Sequence, residues 1–144
     1  MKLVKFVSVF TVASALAACA TSEQPAEKAV KAEPVKSERV VVYNCQNKTK
    51  VVAAYDFTDN QATGLTLTVN NKVIKDLERD AEAKDFVTFK SQTHVWNLDE
   101  GFDLANYDKK TAVTLYKKGK KADKILAKNC EINQKETAKL NVNN

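Results

Sequence analysis

Apolar and polar residues alternate along most of the chain from residue 39 to residue 128, with the period of two that is typical of half-buried β-strands. The alternation is cleanest in Gly64–Val69, where Leu65, Leu67 and Val69 share one face. The predicted strands are Arg39–Gln46, Lys50–Phe57, Gly64–Val69, Lys72–Lys75, Asp85–Lys90, Thr93–Leu98, Thr111–Lys117 and Lys124–Lys128. About eight short antiparallel strands in roughly ninety residues predict an all-β domain, either a sandwich or a small barrel, and we favour the barrel because closure removes exposed edges.

Short polar segments separate these strands and predict the turns. Asn70-Asn71 predicts a tight hairpin, because asparagine tolerates positive φ. Ser91-Gln92 lies at or near a second turn, and Gly119 lies in the connection between the last two strands. Asp76–Lys84 interrupts the alternation with helix-forming residues, so it predicts a short helix or a charged loop.

The first eighteen residues have the pattern of an export signal. Lys2 and Lys5 form a basic start, and residues 6–15 are apolar or small throughout. This run is too short for a stable transmembrane helix but has the length and flanks of a signal sequence. We therefore expect residues 1–18 to be a signal peptide.

The signal ends in Leu16-Ala17-Ala18-Cys19, which resembles a lipobox. In such a motif small residues permit cleavage, and the thiol of the cysteine carries a diacylglycerol. The alternative is an ordinary Ala-x-Ala cleavage site followed by a chance cysteine. The lipobox predicts lipidation of Cys19. Ala20 is not the aspartate that often retains lipoproteins at the inner membrane, so we expect an anchor in the outer membrane, with the domain periplasmic or exposed at the surface.

The segments that flank the predicted strands are polar. Residues 19–38 include Pro25 and Pro34 and no aromatic residue, which predicts a flexible tether with a root-mean-square span of roughly 25 Å. Residues 39–130 would then form the barrel domain. Residues 131–144 are predicted to be a polar, frayed tail.

The chain contains three cysteines, an odd number for an exported protein. If Cys19 is acylated, Cys45 and Cys130 remain, and an oxidising periplasm is expected to pair them. The bridge would join the first strand to the last and close a loop of about 85 residues, worth roughly 4.5 kcal/mol in the chain-entropy model. The alternative is two separate buried thiols.

The charge of the chain is too mild to predict binding to nucleic acid. The formal net charge is +5, and loss of Lys2 and Lys5 with the signal peptide leaves 21 basic and 18 acidic side chains, or +3. The densest charge feature is a set of lysines near the end of the predicted domain. It comprises Lys117, Lys118, Lys120, Lys121, Lys124 and Lys128. This set indicates either a solvated hairpin whose lysines block strand addition or a patch for an anionic partner.

The sequence contains no pattern that favours catalysis. The single histidine, His94, lies in a predicted strand beside Trp96, which favours a structural or surface role over metal binding or catalysis. Asp99, Glu100 and Asp103 are better explained as a solvated loop than as the carboxylate pair of a glycosidase. We therefore expect neither an enzyme, nor a metal site, nor a cofactor.

Several short motifs carry a family resemblance that covers residues 40–130. Tyr43-x-Cys45 in the first strand and the closing Lys128-Asn129-Cys130 resemble the membrane-bound inhibitors of C-type lysozyme. The related adhesin complex protein of pathogenic bacteria is similar in residues 42–46, Val-Tyr-Asn-Cys-Gln, and in Thr88-Phe89. The resemblance implies an eight-stranded antiparallel barrel.

The resemblance also implies a set of partner-binding residues. In the inhibitors, a serine from an S-G-x-x-Y motif and a lysine from a later W-x-K-G motif enter the lysozyme cleft and meet its two catalytic carboxylates. Tyr107 matches the motif tyrosine, and Asp103 stands at the position of the serine. Tyr116, Lys118 and Gly119 match the second motif with tyrosine in place of tryptophan, so Lys118 would be the inserted lysine.

These observations predict a lipoprotein that binds a macromolecule and catalyses nothing. The first hypothesis is inhibition of host C-type lysozyme by loops that enter its active-site cleft. The second is adhesion to a host-surface protein without lysozyme inhibition, and the third is binding of an envelope component.

Overall fold

The computed structural model describes residues 33–142. The predicted signal peptide, Cys19 and the first part of the predicted tether lie outside the described residues. The described chain forms eight strands and a final α-helix, with a 3₁₀ turn at Gln46–Lys48 between the first two strands. Their bounds are β1 Lys36–Cys45, β2 Thr49–Thr58, β3 Gln61–Val69, β4 Lys72–Arg79, β5 Val87–Lys90, β6 His94–Leu98, β7 Ala112–Lys117, β8 Lys124–Ile132 and α1 Gln134–Leu140.

The eight strands close into an antiparallel barrel, which confirms the predicted fold class. Each strand pairs with the next along the chain, and β8 pairs with β1. The alternating residues predicted to face inward in β3 are buried, since Leu65, Leu67 and Val69 are at most 7% exposed. Asn70 and Asn71 both have positive φ, 46° and 66°, as the predicted tight hairpin requires.

Aromatic side chains fill the barrel interior, and their polar atoms bond one another. The Nε1 of Trp96 donates to the hydroxyl of Tyr55 at 2.9 Å, and the hydroxyls of Tyr43 and Tyr55 lie 3.1 Å apart. Burial raises the pKa of both tyrosines, so each hydroxyl remains protonated. Since these polar atoms have partners, burying them carries little penalty. With the interior packed in this way, the candidate site is sought at the ends and on the outer surface of the barrel.

A disulfide reinforces the seam where the barrel closes. The register between β1 and β8 contains only two residue pairs, Tyr43 with Ile132 and Asn44 with Glu131. Cys45 and Cys130 follow directly in this register and form the predicted disulfide. Both cysteines are buried, at 8% and 1% exposure. The bridge therefore joins the first and last strands covalently at a seam with a short ladder.

Residues 131–142 of the predicted polar tail are folded against the barrel. Strand β8 continues to Ile132, and α1 follows, with the side chain of Asn133 accepting a hydrogen bond from the N–H of Glu136 at the helix start. Thr137 is 2% exposed because the helix packs on β1. A seven-residue helix lacks the length for a helical pattern in sequence, and contact with the barrel stabilises it. No helix among residues 33–142 is long and apolar enough to cross a membrane.

Two segments differ in secondary structure from the prediction. Strand β4 extends to Arg79, so the first half of Asp76–Lys84 is strand and only the rest belongs to the connection between β4 and β5. Pairing of this segment with β3 and β5 overrides its helical propensity. Strand β1 begins at Lys36, three residues inside the predicted tether, because it pairs with the far end of β2.

Candidate functional site

Consecutive antiparallel strands place the connections alternately at two ends of the barrel. The "lysine end" consists of the connections at residues 46–48, 70–71, 91–93 and 118–123. The "plug end" consists of those at residues 59–60, 80–86 and 99–111. The site residues implied by the sequence divide between these ends.

The structure does not bring the two implied motifs together. Asp103 and Tyr107 lie in the connection before β7, at the plug end, whereas Lys118 and Gly119 follow β7, at the lysine end. The six residues of β7 separate them and span about 20 Å at the usual rise of a strand. Tyr116 lies on β7 itself, opposite Val95 of β6.

At the plug end, the long connection between β6 and β7 folds over the barrel opening. Phe102 is 3% exposed, and its ring centroid lies 4.6 Å from that of Tyr55 and 6.0 Å from that of Phe57. The ring of Tyr107 packs edge-on against Phe57, and the guanidinium of Arg39 lies 5.9 Å from the centre of the Tyr107 ring. Tyr107 therefore contributes to the packing that closes this end. Sequence patterns do not identify Phe102, whose only signal is an aromatic residue in a polar loop.

Asp103 organises the same loop through its side chain. Its Oδ1 accepts hydrogen bonds from the N–H groups of Ala105 and Asn106, at 2.9 and 3.1 Å. In return, the N–H of Asp103 donates to the side-chain oxygen of Asn106 at 3.0 Å. This arrangement is typical of an aspartate in an Asx turn. The Asp103 carboxylate thus has local backbone partners within the plug end.

The connection between β7 and β8 is a tight loop that holds Lys118 at the lysine end. The N–H of Lys118 donates to the carbonyl of Thr93, and its Nζ donates to the carbonyl of Ser91, both at 2.8 Å. Gly119 donates its N–H to Oδ1 of Asp123 at 3.1 Å. A Cβ at Gly119 would lie 1.9 Å from the carbonyl oxygen of Ala122, so this turn requires glycine. These contacts fix the loop, while the Lys118 side chain remains exposed.

The loop between β7 and β8 gives the lysine end a concentration of positive charge. The loop presents Lys118, Lys120 and Lys121, all exposed. Within residues 33–142 the ion pairs are Lys50 with Glu136 and Lys90 with Asp80, so these three lysines have no carboxylate within salt-bridge distance. Such an end attracts anionic groups of a partner.

In the described part of the chain, no group of three His, Cys, Asp or Glu side chains is arranged to hold a metal ion. His94 lies at the start of β6, where its Nδ1 is 2.8 Å from the hydroxyl of Thr93. Burial and the positive charge of Lys117 lower the pKa of His94 below its usual value.

The fold and its ends define a class, a small disulfide-closed β-barrel with one plugged end and one lysine-rich end. Comparison with known families matches residues 39–132 to the ACP-like domain, Nm-ACP. The chain therefore belongs to the ACP-like domain family. It is also similar to an "uncharacterized protein" of Haemophilus influenzae, with 38% identity over 151 residues that cover 99% of this chain and all of the relative.

Proposed function

We propose that this protein is a non-catalytic lipoprotein of the bacterial envelope that inhibits C-type lysozyme. The connection between β7 and β8 would enter the active-site cleft of the lysozyme, with Lys118 as the inserted cation. The observation that carries the proposal is the fixed presentation of Lys118 at one end of the barrel, on a loop held by backbone hydrogen bonds. The resemblance of residues 116–119 to the W-x-K-G motif supports the same assignment.

The chemistry of such a contact is electrostatic. Glycosidases of this type act through a pair of carboxyl groups, one of them ionised in the resting enzyme. An ammonium group delivered into that cleft would pair with the ionised carboxylate and exclude the sugar substrate. Within residues 33–142 the Lys118 Nζ makes one hydrogen bond, to the carbonyl of Ser91, which it can exchange for a carboxylate without leaving a buried group unpaired.

Asp103 has no direct part in this contact. It lies at the plug end, and its carboxylate caps a turn of its own loop. The inhibitory surface is therefore proposed to be the lysine end alone, with Gly119 shaping the loop and Tyr116 supporting it from β7.

The test is the loss of turbidity of a peptidoglycan suspension treated with a C-type lysozyme, in the presence of wild type or variants. Truncation of a buried, paired charge costs about 2–5 kcal/mol, so Lys118→Ala should weaken inhibition by roughly 30-fold or more. Lys120→Ala, which removes a neighbouring charge of the same loop, should weaken it by less than about tenfold, as expected for a rim charge. Asp103→Ser keeps a side-chain acceptor for the turn and should change inhibition by less than about twofold.

A second candidate function is adhesion to an anionic host surface. The observation that favours it is the number of exposed lysines around one barrel end, which extends beyond the Lys118 loop to Lys128 on β8. Equal effects of Lys118→Ala and Lys120→Ala would indicate a diffuse patch and favour adhesion. Absence of inhibition by a correctly folded wild-type protein would exclude the lysozyme proposal.

A further inference from the structure

The opening of the barrel at the lysine end forms a groove of about 520 Å³. One wall comes from the hairpin of β3 and β4, and the opposite wall comes from β6, β7 and β8. This volume lies within the usual range of about 300–1,000 Å³ for small-molecule sites. The groove is separate from the Lys118 loop, because residues 118–123 do not line it.

The floor of the groove is aliphatic. Val69 is 7% exposed, and Ile74 and Leu126 are half-buried against the core. Val73 continues this apolar surface to the rim, where its side chain is 56% exposed. An exposed valine beside partly buried aliphatic residues provides a surface on which a hydrocarbon chain would be removed from water.

The rim of the groove carries three lysines and a histidine. His94, Lys117 and Lys124 are directly opposite one another on three successive strands, with His94 paired to Lys117 and Lys117 paired to Lys124. Lys72 faces them from the other wall, opposite Val69. Like charges directly opposite on a sheet are destabilising, since their Cβ atoms lie about 5 Å apart.

No carboxylate among the described residues offsets this repulsion. No Asp or Glu lines the groove, and Lys72, Lys117 and Lys124 form no ion pair within residues 33–142. Burial lowers the pKa of His94, and the charge of Lys117 lowers it further. An anion bound between the walls would remove the repulsion and would therefore stabilise the folded barrel.

We infer that this groove binds a single-chain anionic amphiphile with a carboxylate head, that is, a fatty-acid anion. The head would lie between Lys117, Lys124 and Lys72, and the hydrocarbon chain would lie on Val69, Ile74 and Leu126. A peptide fits this lining less well, because lysine side chains only donate hydrogen bonds and the floor side chains, Val69, Ile74 and Leu126, are aliphatic. Backbone N–H groups of a peptide would find no side-chain acceptor on these three residues, whereas a hydrocarbon chain has no such groups.

The inference does not depend on lysozyme inhibition, because it assigns a different set of lysines. The groove uses Lys72, Lys117 and Lys124, whereas the proposed inhibitory contact uses Lys118. Failure of one assignment therefore leaves the other intact.

The experiment is calorimetric titration of the Cys19→Ala protein with dodecanoate below its micelle concentration. Dodecanoate should bind at least tenfold more tightly than acetate, which lacks the chain, and than dodecanol, which lacks the charge. The double variant Lys117→Gln/Lys124→Gln should weaken dodecanoate binding at least tenfold. The matched double variant Lys120→Gln/Lys121→Gln, which removes the same charge from the neighbouring loop, should change binding by less than twofold.

Amide NMR shifts on addition of dodecanoate locate the ligand independently of any variant. Val69 and His94 should shift, and Phe102 at the plug end should not. Acetate or inorganic phosphate binding as tightly as dodecanoate would overturn the amphiphile assignment, and so would equal binding of dodecanol. Equal effects of the two double variants, or an unchanged spectrum of the folded protein with dodecanoate, would exclude the groove as the site.

Discussion

The side-chain amide of Asn141 pairs with the backbone of Val40 as a neighbouring strand would. Its Oδ1 accepts from the N–H of Val40 at 2.9 Å, and its Nδ2 donates to the carbonyl of Val40 at 2.7 Å. Two residues along β1, Thr137 Oγ1 accepts from the N–H of Val42 at 3.0 Å, and Asn133 donates its N–H to the Val42 carbonyl at 2.7 Å. Helix α1 thus covers the part of β1 that extends beyond the end of β8.

Replacement of Asn141 by alanine should therefore destabilise the barrel by about 2 kcal/mol, because it leaves both backbone groups of Val40 without their partner. The measurement is the free energy of unfolding from urea titration. Lys139→Ala, an exposed change on the same helix, should alter that free energy by less than about 0.5 kcal/mol. Equal values for the two variants would show that the Asn141 bonds contribute nothing to stability.

The Cys45–Cys130 disulfide should make a large contribution to stability. Its cysteines are 85 residues apart in sequence, and the chain-entropy model gives about 4.5 kcal/mol for a loop of that size. The double variant Cys45→Ser/Cys130→Ser should therefore unfold at a clearly lower urea concentration than the oxidised wild type. Reducing agent should lower the wild-type midpoint to a similar extent. Mass mapping that finds free thiols at both positions in protein taken from the periplasm would contradict this prediction.

The stability of the barrel should fall as the pH drops below about 6.5, the usual pKa of histidine, because of His94. In the folded state its pKa lies below the usual value of 6.5, since burial and Lys117 disfavour the charged imidazole. The unfolded chain thus binds the proton more readily, and stability present above pH 6.5 is lost as the pH falls through the folded pKa. Since His94 is the only histidine, His94→Gln should flatten the pH dependence of unfolding in this window. Parallel curves for the two proteins would contradict the assignment.

Lipidation at Cys19 should be separable from folding. The core, the disulfide and α1 all lie within residues 33–142, so Cys19→Ala should leave the circular dichroism spectrum of the domain unchanged. The same variant should move from the detergent phase to the aqueous phase in a detergent-partition experiment, because it lacks the acyl chains. Partition of Cys19→Ala into detergent to the same extent as wild type would refute the lipobox interpretation.

Strand positions and the closing disulfide followed from sequence because they depend on local alternation and on the count of cysteines. The alternation of Leu65, Leu67 and Val69 with polar residues is a property of the local sequence and does not depend on tertiary contacts. The tolerance of asparagine for positive φ is likewise a property of the residue itself. The covering helix could not be predicted in this way. Its seven residues are stabilised by contacts of Thr137 and Asn141 with a strand about a hundred residues earlier, and these contacts leave no periodic signal.

The sequence by itself determined that this chain forms a small all-β domain with a lysine-rich last hairpin. Only the tertiary structure decided which side chains share an end of the barrel. It separated Asp103 from Lys118, and it brought Lys72 to the same opening as His94 and Lys117. The physical reason is that barrel closure and the register between strands are set by long-range pairing, whereas sequence periodicity reports only which face of its own strand a residue occupies.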